Sequence, residues 1–88
     1  MNTTAAAETM SEVHVEFYAH LSEKFGSTRT VSLKSNANAM DLLELLRSLK
    51  PEAAGLLAVC RIATDERILN SGELLPARVC VFPPMSGG

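Results

Sequence analysis

The sequence predicts an α+β fold in which a mixed β-sheet covers one main helix. Three observations lead to this fold class. Two segments with alternating apolar and polar residues come first, a segment with helical periodicity follows, and further short alternating segments complete the chain. A single apolar helix stripe requires one face of one sheet to bury it. A chain of 88 residues has room for one core, so we expect one domain.

The first two strands are predicted from alternation with a period of two residues. In EVHVEFYA, one side of the strand is apolar and carries Val13, Val15 and Phe17. The next segment, HLSEKFGS, is a short polar connection that Gly26 can end with a positive φ. In TRTVSL, Val31 and Leu33 share one side. The two strands should therefore form a hairpin.

The main helix is predicted within NANAMDLLELLRSLKP, where the period changes. The apolar stripe consists of Leu42, Leu46 and Leu49, flanked by Leu43 and Leu45. Asn38 can cap the start of the helix, with Asp41 three residues later. Pro51 disfavours helical geometry at Lys50, so the helix should end there. An isolated helix of this length is marginal, so it should lie against the sheet.

The last part of the chain supplies the remaining strands. PEAAGLL can add a helical turn, LAVCRIA is predicted as a strand, TDER as a turn, RIL as a short return strand and NSG as a second turn. RVCVF is the last strand, and it should end near Phe82 because Pro83 and Pro84 cannot continue a ladder. Val79 and Val81 should face the helix, and Cys80 and Phe82 should lie on the opposite face, with the Phe82 ring exposed. A β-grasp arrangement of four to five strands, with the first and last strands parallel at the centre, fits this order best.

Composition predicts the boundaries and limits the function. We expect a flexible tail over residues 1–10, the folded domain over 11–84, and a flexible Gly-Gly tail over 85–88. A formal charge of −2 without a basic cluster gives no reason to expect a nucleic-acid partner. No apolar stretch is long enough to span a membrane, and MNTTAAAETM lacks the features of a secretory signal, so we expect a cytoplasmic protein.

Residues that commonly carry catalysis are scarce. The candidates are His14 and His20 in or near the first strand, Cys60 and Cys80 among aliphatic residues, and the turn acids Asp65 and Glu66. Their local contexts predict solvated histidines, inert thiols and turn hydrogen bonds. The spacing of the cysteines and histidines does not match a zinc site. The glycines are too dispersed for a phosphate loop. We therefore expect no bound metal or cofactor and no catalysis by this chain alone.

The carboxyl-terminal PPMSGG is the most informative segment. Pro83 and Pro84 favour a stiff, extended exit from the last strand. Ser86, Gly87 and Gly88 then present almost no side chain, so they can thread a tunnel in which a Cβ would clash. The terminal carboxylate lies on an unhindered carbon and suits activation to an acyl-adenylate. The alternative is a frayed terminus without function.

Two segments resemble a known family. PPMSGG is similar to the Pro-Pro-x-Ser/Thr-Gly-Gly terminus of MoaD/ThiS sulfur carriers, and of the molybdopterin synthase small subunit in particular. FYAHLSEKFG resembles the segment that follows the first strand in that family. The resemblance covers residues 12–88 and implies a ubiquitin-like β-grasp fold.

The resemblance also implies a function and two partners. An E1-like enzyme that uses ATP would adenylate Gly88, which becomes a thiocarboxylate. A molybdopterin synthase large subunit, in an expected heterotetramer, would use that sulfur to form molybdopterin. Gly87 and Ser86 would lie in the partner's tunnel. Phe82 and Met85, with Pro83 and Pro84, would contact the partner's surface.

Three departures from the family pattern bear on the choice of partner: Ser22 replaces an Arg, Pro76 and Ala77 replace a Gly-Asp turn, and Cys60 and Arg61 replace a Val-Asn pair. Two other functions stay open at this point. The first is a protein modifier joined through Gly88 to target lysines, as in small archaeal modifiers. The second is a sulfur carrier for another product, such as thiazole, a thiolated tRNA base or an amino acid.

Overall fold

The computed structural model describes residues 9–83, which form a four-stranded sheet with helices on one face. The strands are β1 (Met10–Phe17), β2 (Thr28–Lys34), β3 (Arg61–Ala63) and β4 (Arg78–Phe82). The helices are α1 (His20–Phe25), α2 (Ala39–Leu49) and α3 (Ala54–Leu57), with a 3₁₀ turn at Pro51–Ala53. β1 begins at Met10, the last residue of the predicted tail.

The strand order β2-β1-β4-β3 confirms the predicted arrangement. β1 pairs antiparallel with β2, from Met10 opposite Lys34 to Glu16 opposite Thr28. β1 also pairs parallel with β4, so the first and last strands lie together at the centre. β3 pairs antiparallel with β4 at the edge. This topology is the β-grasp arrangement.

The core lies between the sheet and α2. Val13, Val15, Phe17 and Val31 project from β1 and β2, and Val79 and Val81 from β4, as their alternation predicts. Leu42 and Leu46 of α2 are completely buried against them. Leu49 was predicted to join this stripe, but 43% of its surface is exposed. Leu49 is the last residue of α2, and the buried residues of this helix end at Leu46.

The first backbone N–H groups of α2 and of its N-cap find hydrogen-bond acceptors in the capping box and in the loop before β4. Asn38 Oδ1 accepts a hydrogen bond from the Asp41 N–H, and Asp41 Oδ2 accepts one from the Asn38 N–H, both at 2.9 Å. This is the predicted capping box. The Ala39 and Met40 N–H groups donate to the carbonyls of Glu73 and Ser71, both at 3.0 Å. The loop before β4 is thereby attached to the helix.

Three local expectations are wrong. HLSEKF forms helix α1 rather than a polar connection, because Leu21 and Phe25 are buried and the Phe25 ring stacks on Phe17 with centroids 4.9 Å apart. The strand predicted at LAVCRIA is limited to Arg61–Ala63, since the preceding residues complete a turn. RIL contributes a single bridge between Ile68 and Ala63. The positive φ of Gly26, at 89°, is confirmed.

Candidate functional site

The end of β4 is the last part of the described structure before the carboxyl-terminal residues. β4 ends at Phe82, as predicted, and Pro83 follows it outside the ladder. Of the predicted site residues, Phe82 and Pro83 are within the described part of the chain. Pro84, Met85, Ser86, Gly87 and Gly88 lie outside the described residues, so their predicted roles stay predictions.

β4 holds this exit firmly because both of its edges are paired. Val81 lies opposite Phe17 of β1, and the Tyr18 N–H donates to the Val81 carbonyl at 3.3 Å, so the parallel ladder continues past β1. On the other side, Phe82 lies opposite Arg61 of β3. A central strand with two partners therefore fixes the position and direction of residue 82.

The two faces of β4 differ in burial. Val79 and Val81 are 2% and 0% exposed beneath α2. Cys80 and Phe82 alternate onto the opposite, outer face, where both are half-buried. Phe82 was expected to present a largely exposed ring on this face. The structure has the predicted orientation, but part of the side chain is covered.

The outer face beside Phe82 carries an aromatic and a cationic neighbour. Tyr18 continues β1 next to Phe82 and is 50% exposed. Its hydroxyl donates a 2.9 Å hydrogen bond to Glu16 Oε1, which raises the pKa of Tyr18. Arg61 is exposed on the neighbouring edge strand. Two aromatic residues and an arginine thus lie on adjacent strands at the end of β4, a combination of residue types that is enriched at protein interfaces.

The chain turns sharply immediately after Tyr18. Ala19 has a φ of 58°, in a region of backbone conformation that residues other than glycine rarely adopt. The Ser22 Oγ donates to the Ala19 carbonyl at 2.8 Å, so the residue that departs from the family's Arg stabilises this turn. The turn directs the chain from β1 into α1 and leaves the Tyr18 ring at the end of the sheet.

Neither cysteine has the environment of a reactive thiolate. Cys60 is buried, and burial raises its pKa, while its thiol donates to the Leu56 carbonyl at 3.1 Å. Cys80 is half-buried on the outer face, and its pKa is also raised by desolvation. Both thiols are free and protonated near neutral pH. Their surroundings agree with the predicted inert role.

The other candidate groups lie apart from one another. His14 Nδ1 is 3.0 Å from Thr30 Oγ1 across the hairpin, and His20 Nδ1 is 3.8 Å from Glu23 Oε1 in α1. Asp65 and Glu66 lie in the predicted turn, where the Thr64 hydroxyl accepts from the Glu66 N–H. From residue 9 to residue 83, no group of three His, Cys, Asp or Glu side chains can hold a metal ion. Among those residues there is also no helix with the length and hydropathy of a membrane span.

The loop between β3 and β4 contains an ion pair that the sequence did not reveal. Arg67 donates to both carboxylate oxygens of Glu73, at 2.7 and 2.5 Å, and the Asn70 N–H donates to Glu73 Oε1 at 2.8 Å. These hydrogen bonds, with Arg67 first, lower the pKa of Glu73 to about 2. The pair closes the loop that leads to β4. Ala77 ends this loop, and its carbonyl accepts from the His14 N–H at 2.8 Å.

Comparison with known proteins shows the family to which the chain belongs. The sequence model of the ThiS family matches residues 15–88, which is most of the chain. The chain belongs to the ThiS family. The predicted resemblance to MoaD/ThiS proteins is thereby confirmed, and the match runs through the last strand to the terminal glycine. No curated protein matches the chain.

Three solved structures share the fold of this ThiS-family chain. Small archaeal modifier protein 1 from Haloferax volcanii has a TM-score of 0.71 and 20% identity, covering 85% of this chain and 99% of its own. A Pyrococcus furiosus protein assigned to molybdopterin converting factor, subunit 1 has a TM-score of 0.72 and 24% identity, covering 84% and 98%. The HVO 2177 protein of Haloferax volcanii has a TM-score of 0.75 and 22% identity, covering 90% and 88%. The fold is therefore a ubiquitin-like β-grasp, as predicted.

Proposed function

We propose that this ThiS-family chain is a sulfur carrier for molybdopterin biosynthesis, with the carboxyl group of Gly88 as its reacting group. The observation that carries the proposal is the family match over residues 15–88, which includes the whole PPMSGG terminus. A carrier needs a stable body and a terminus that another protein can enclose. The described domain supplies the first requirement, and the sequence of the terminus suits the second.

The chemistry takes place in two steps on the terminal carboxylate. In the first, a carboxylate oxygen attacks the α-phosphorus of ATP within an E1-like enzyme, which releases pyrophosphate and forms an acyl-adenylate. In the second, sulfide attacks the acyl carbon, the bond between that carbon and the AMP oxygen breaks, and a thiocarboxylate, AMP and a proton are formed. The domain supplies no catalytic group to either step. It acts as the small subunit of a heteromeric synthase.

The body of the domain contributes position and recognition. Because β4 is paired on both edges, residues beyond Pro83 start from a fixed point beside Tyr18 and Arg61. Phe82 and Met85, with Pro83 and Pro84, would then contact the partner surface. Ser86 and Gly87 would occupy its tunnel, where the lack of bulky side chains allows close approach. The large subunit of molybdopterin synthase is the proposed acceptor of the sulfur.

A second function has a specific observation in its favour. The fold matches small archaeal modifier protein 1 as well as it matches the molybdopterin converting factor subunit, and the PPMSGG terminus suits both roles. In a modifier, a lysine amine rather than a sulfur nucleophile would attack the activated Gly88. The acyl-adenylate is common to both pathways, and the product distinguishes them.

Deletion of Gly88 tests the role of the terminus. We expect the truncated protein to lose ATP–pyrophosphate exchange with its E1-like enzyme, because the reacting carboxyl group is displaced by one residue. Its thermal unfolding should be unchanged, since the core is formed within residues 9–83. A truncated protein that is activated at the rate of the full chain would contradict the proposal.

A further inference from the structure

The two edges of the sheet are protected to different degrees. On one edge, the three-residue strand β3 is covered in part by the returning chain, because the Leu69 N–H donates to the Ile62 carbonyl at 2.8 Å and Ile68 bridges Ala63. On the other edge, β2 extends over seven residues, and β1 is its only partner among residues 9–83. An edge strand of this length is a template for pairing with another strand.

The register of β1 and β2 identifies the free backbone groups of this edge. The Phe17 N–H donates to the Ser27 carbonyl at 2.9 Å, and the Ser35 N–H donates to the Thr9 carbonyl at 2.8 Å. In an antiparallel pair, hydrogen-bonded positions recur at every second residue. The odd-numbered residues of β2 therefore bond to β1. The N–H and C=O groups of Thr28, Thr30 and Ser32 point away from β1, toward solvent.

β2 has only some of the features by which edge strands usually avoid pairing: it carries Arg29 and Lys34, but both charges lie outside the three positions with outward backbone groups. It contains no proline or glycine, and its register with β1 is continuous, without a bulge. The three residues with outward backbone groups all carry hydroxyl side chains on the exposed face of the sheet. None of the three adds a charge that would repel a second strand.

These three residues are self-complementary about Thr30. An antiparallel arrangement of two β2 strands around a two-fold axis at Thr30 pairs Thr30 with Thr30, and Thr28 with Ser32. All the free groups of the three residues are then used. The arrangement does not involve Lys34, whose carbonyl already accepts from the Ala37 N–H at 2.9 Å. Threonine and serine pairs directly across two strands are favourable.

We propose that two copies of this chain associate through β2 in this register, so that their sheets join into one. The contact is separate from the tail, because β1 lies between β2 and β4. Each copy in such a dimer would keep Phe82 and its carboxyl terminus available to a partner. The proposal rests on the register of the edge strand and is independent of the proposed function.

The contact should be weak. One strand edge per copy buries well under the roughly 1,200 Å² at which stable protein interfaces begin. We therefore expect a monomer at low concentration and reversible association at high concentration, without a slow step, because both edges are already formed in the monomer.

Sedimentation of the full chain with a thiol reductant tests the association. Between about 10 µM and 1 mM, the range expected for such a small interface, the average mass should rise from 9.5 kDa toward twice that value. Amide exchange should slow with concentration at Thr28, Thr30 and Ser32. The amides of Arg29, Val31 and Leu33 should be protected at every concentration.

Two lysine variants provide the matched comparison. Thr30→Lys places two like charges opposite each other on the axis, so it should abolish association. His14→Lys adds the same charge one strand away and removes the same Thr30–His14 hydrogen bond, so it should leave association intact. A mass that stays at that of the monomer, or equal behaviour of the two variants, would overturn the proposal. If the amides of Thr28, Thr30 and Ser32 become protected only when another protein is added, the edge binds that protein, and the proposal of a dimer is overturned as well.

Discussion

The two faces of β4 differ in burial and in the property that depends on them, although both are formed by the same five residues. Val79 and Val81 are closed beneath α2, while Cys80 and Phe82 are half-buried on a face without a helix among the described residues. Stability depends on the first face and, in our proposal, recognition depends on the second. The terminus beyond Phe82 should then contribute to reaction and not to folding. Substitutions that change one property without the other test this separation.

The largest effect is expected at Gly87. Gly87→Val should reduce activation by the E1-like enzyme by orders of magnitude, because a branched side chain is excluded from a narrow tunnel. Thermal unfolding should not change. Gly72→Val is the matched control, since a Cβ at Gly72 meets open space and this loop lies outside the terminus. Activation of the Gly87 variant at the rate of the control would show that the tunnel is wide.

The next largest effect is expected on the helix side. Leu46→Ala should lower the free energy of unfolding by about 2–5 kcal/mol, because Leu46 is completely buried against the sheet. Leu49→Ala makes the same chemical change in the same helix at a position that is 43% exposed, and should cost much less. Denaturant titration measures both. Equal losses would place Leu49 in the core, contrary to the structure.

The third prediction concerns Phe82→Arg, which should distinguish a partner-binding role of Phe82 from a role in the core. We expect a loss of roughly 2 kcal/mol in partner affinity, in the range of an interface hot spot. The melting temperature should change little, because the ring lies opposite the face that α2 covers. Calorimetric titration with the partner and a thermal melt of the free protein give the two quantities. A large fall in the melting temperature without a partner would make Phe82 a core residue.

The smallest effect is expected at the loop ion pair. The pKa of Glu73 is about 2 in the folded protein and is lowered from an ordinary value of 4.5. The stability that comes from this shift is thus fully present above pH 4.5 and is lost as the pH falls toward 2. The melting temperature of Glu73→Gln should lie slightly below that of the natural protein at pH 6, with the gap closing toward pH 2. A gap that does not depend on pH would contradict this account.

Much of the fold could be predicted because local signals agree with the tertiary structure. Alternation placed Val13, Val15, Val79 and Val81 in the core, and the Asn38 capping box marked the start of α2. Leu49 shows the limit of periodicity, which gives the angle of a residue around a helix but not how far along the helix the core extends. Helix α1 had a signal that was missed, the i, i+4 spacing of Leu21 and Phe25.

The site was less predictable than the fold. The orientation of Phe82 followed from alternation, but its neighbours Tyr18 and Arg61 come from strands far away in the sequence, so no local pattern places them there. Arg67 and Glu73 are six residues apart in an irregular loop, a spacing that matches neither helix nor strand. Such contacts depend on the path of the whole loop.

The central claim is that Gly88 carries sulfur as a thiocarboxylate, and an intact mass spectrum of the protein purified from its own cells tests it most directly. A thiocarboxylate replaces one oxygen by sulfur and raises the mass by about 16 Da, as the atomic masses require. Fragmentation should place this increase on the terminal glycine. Our account predicts a fraction of molecules with that increase, which disappears in the Gly88 deletion. Free acid alone from cells that are actively making the cofactor, or Gly88 found in isopeptide bonds to lysines, would contradict the sulfur-carrier function.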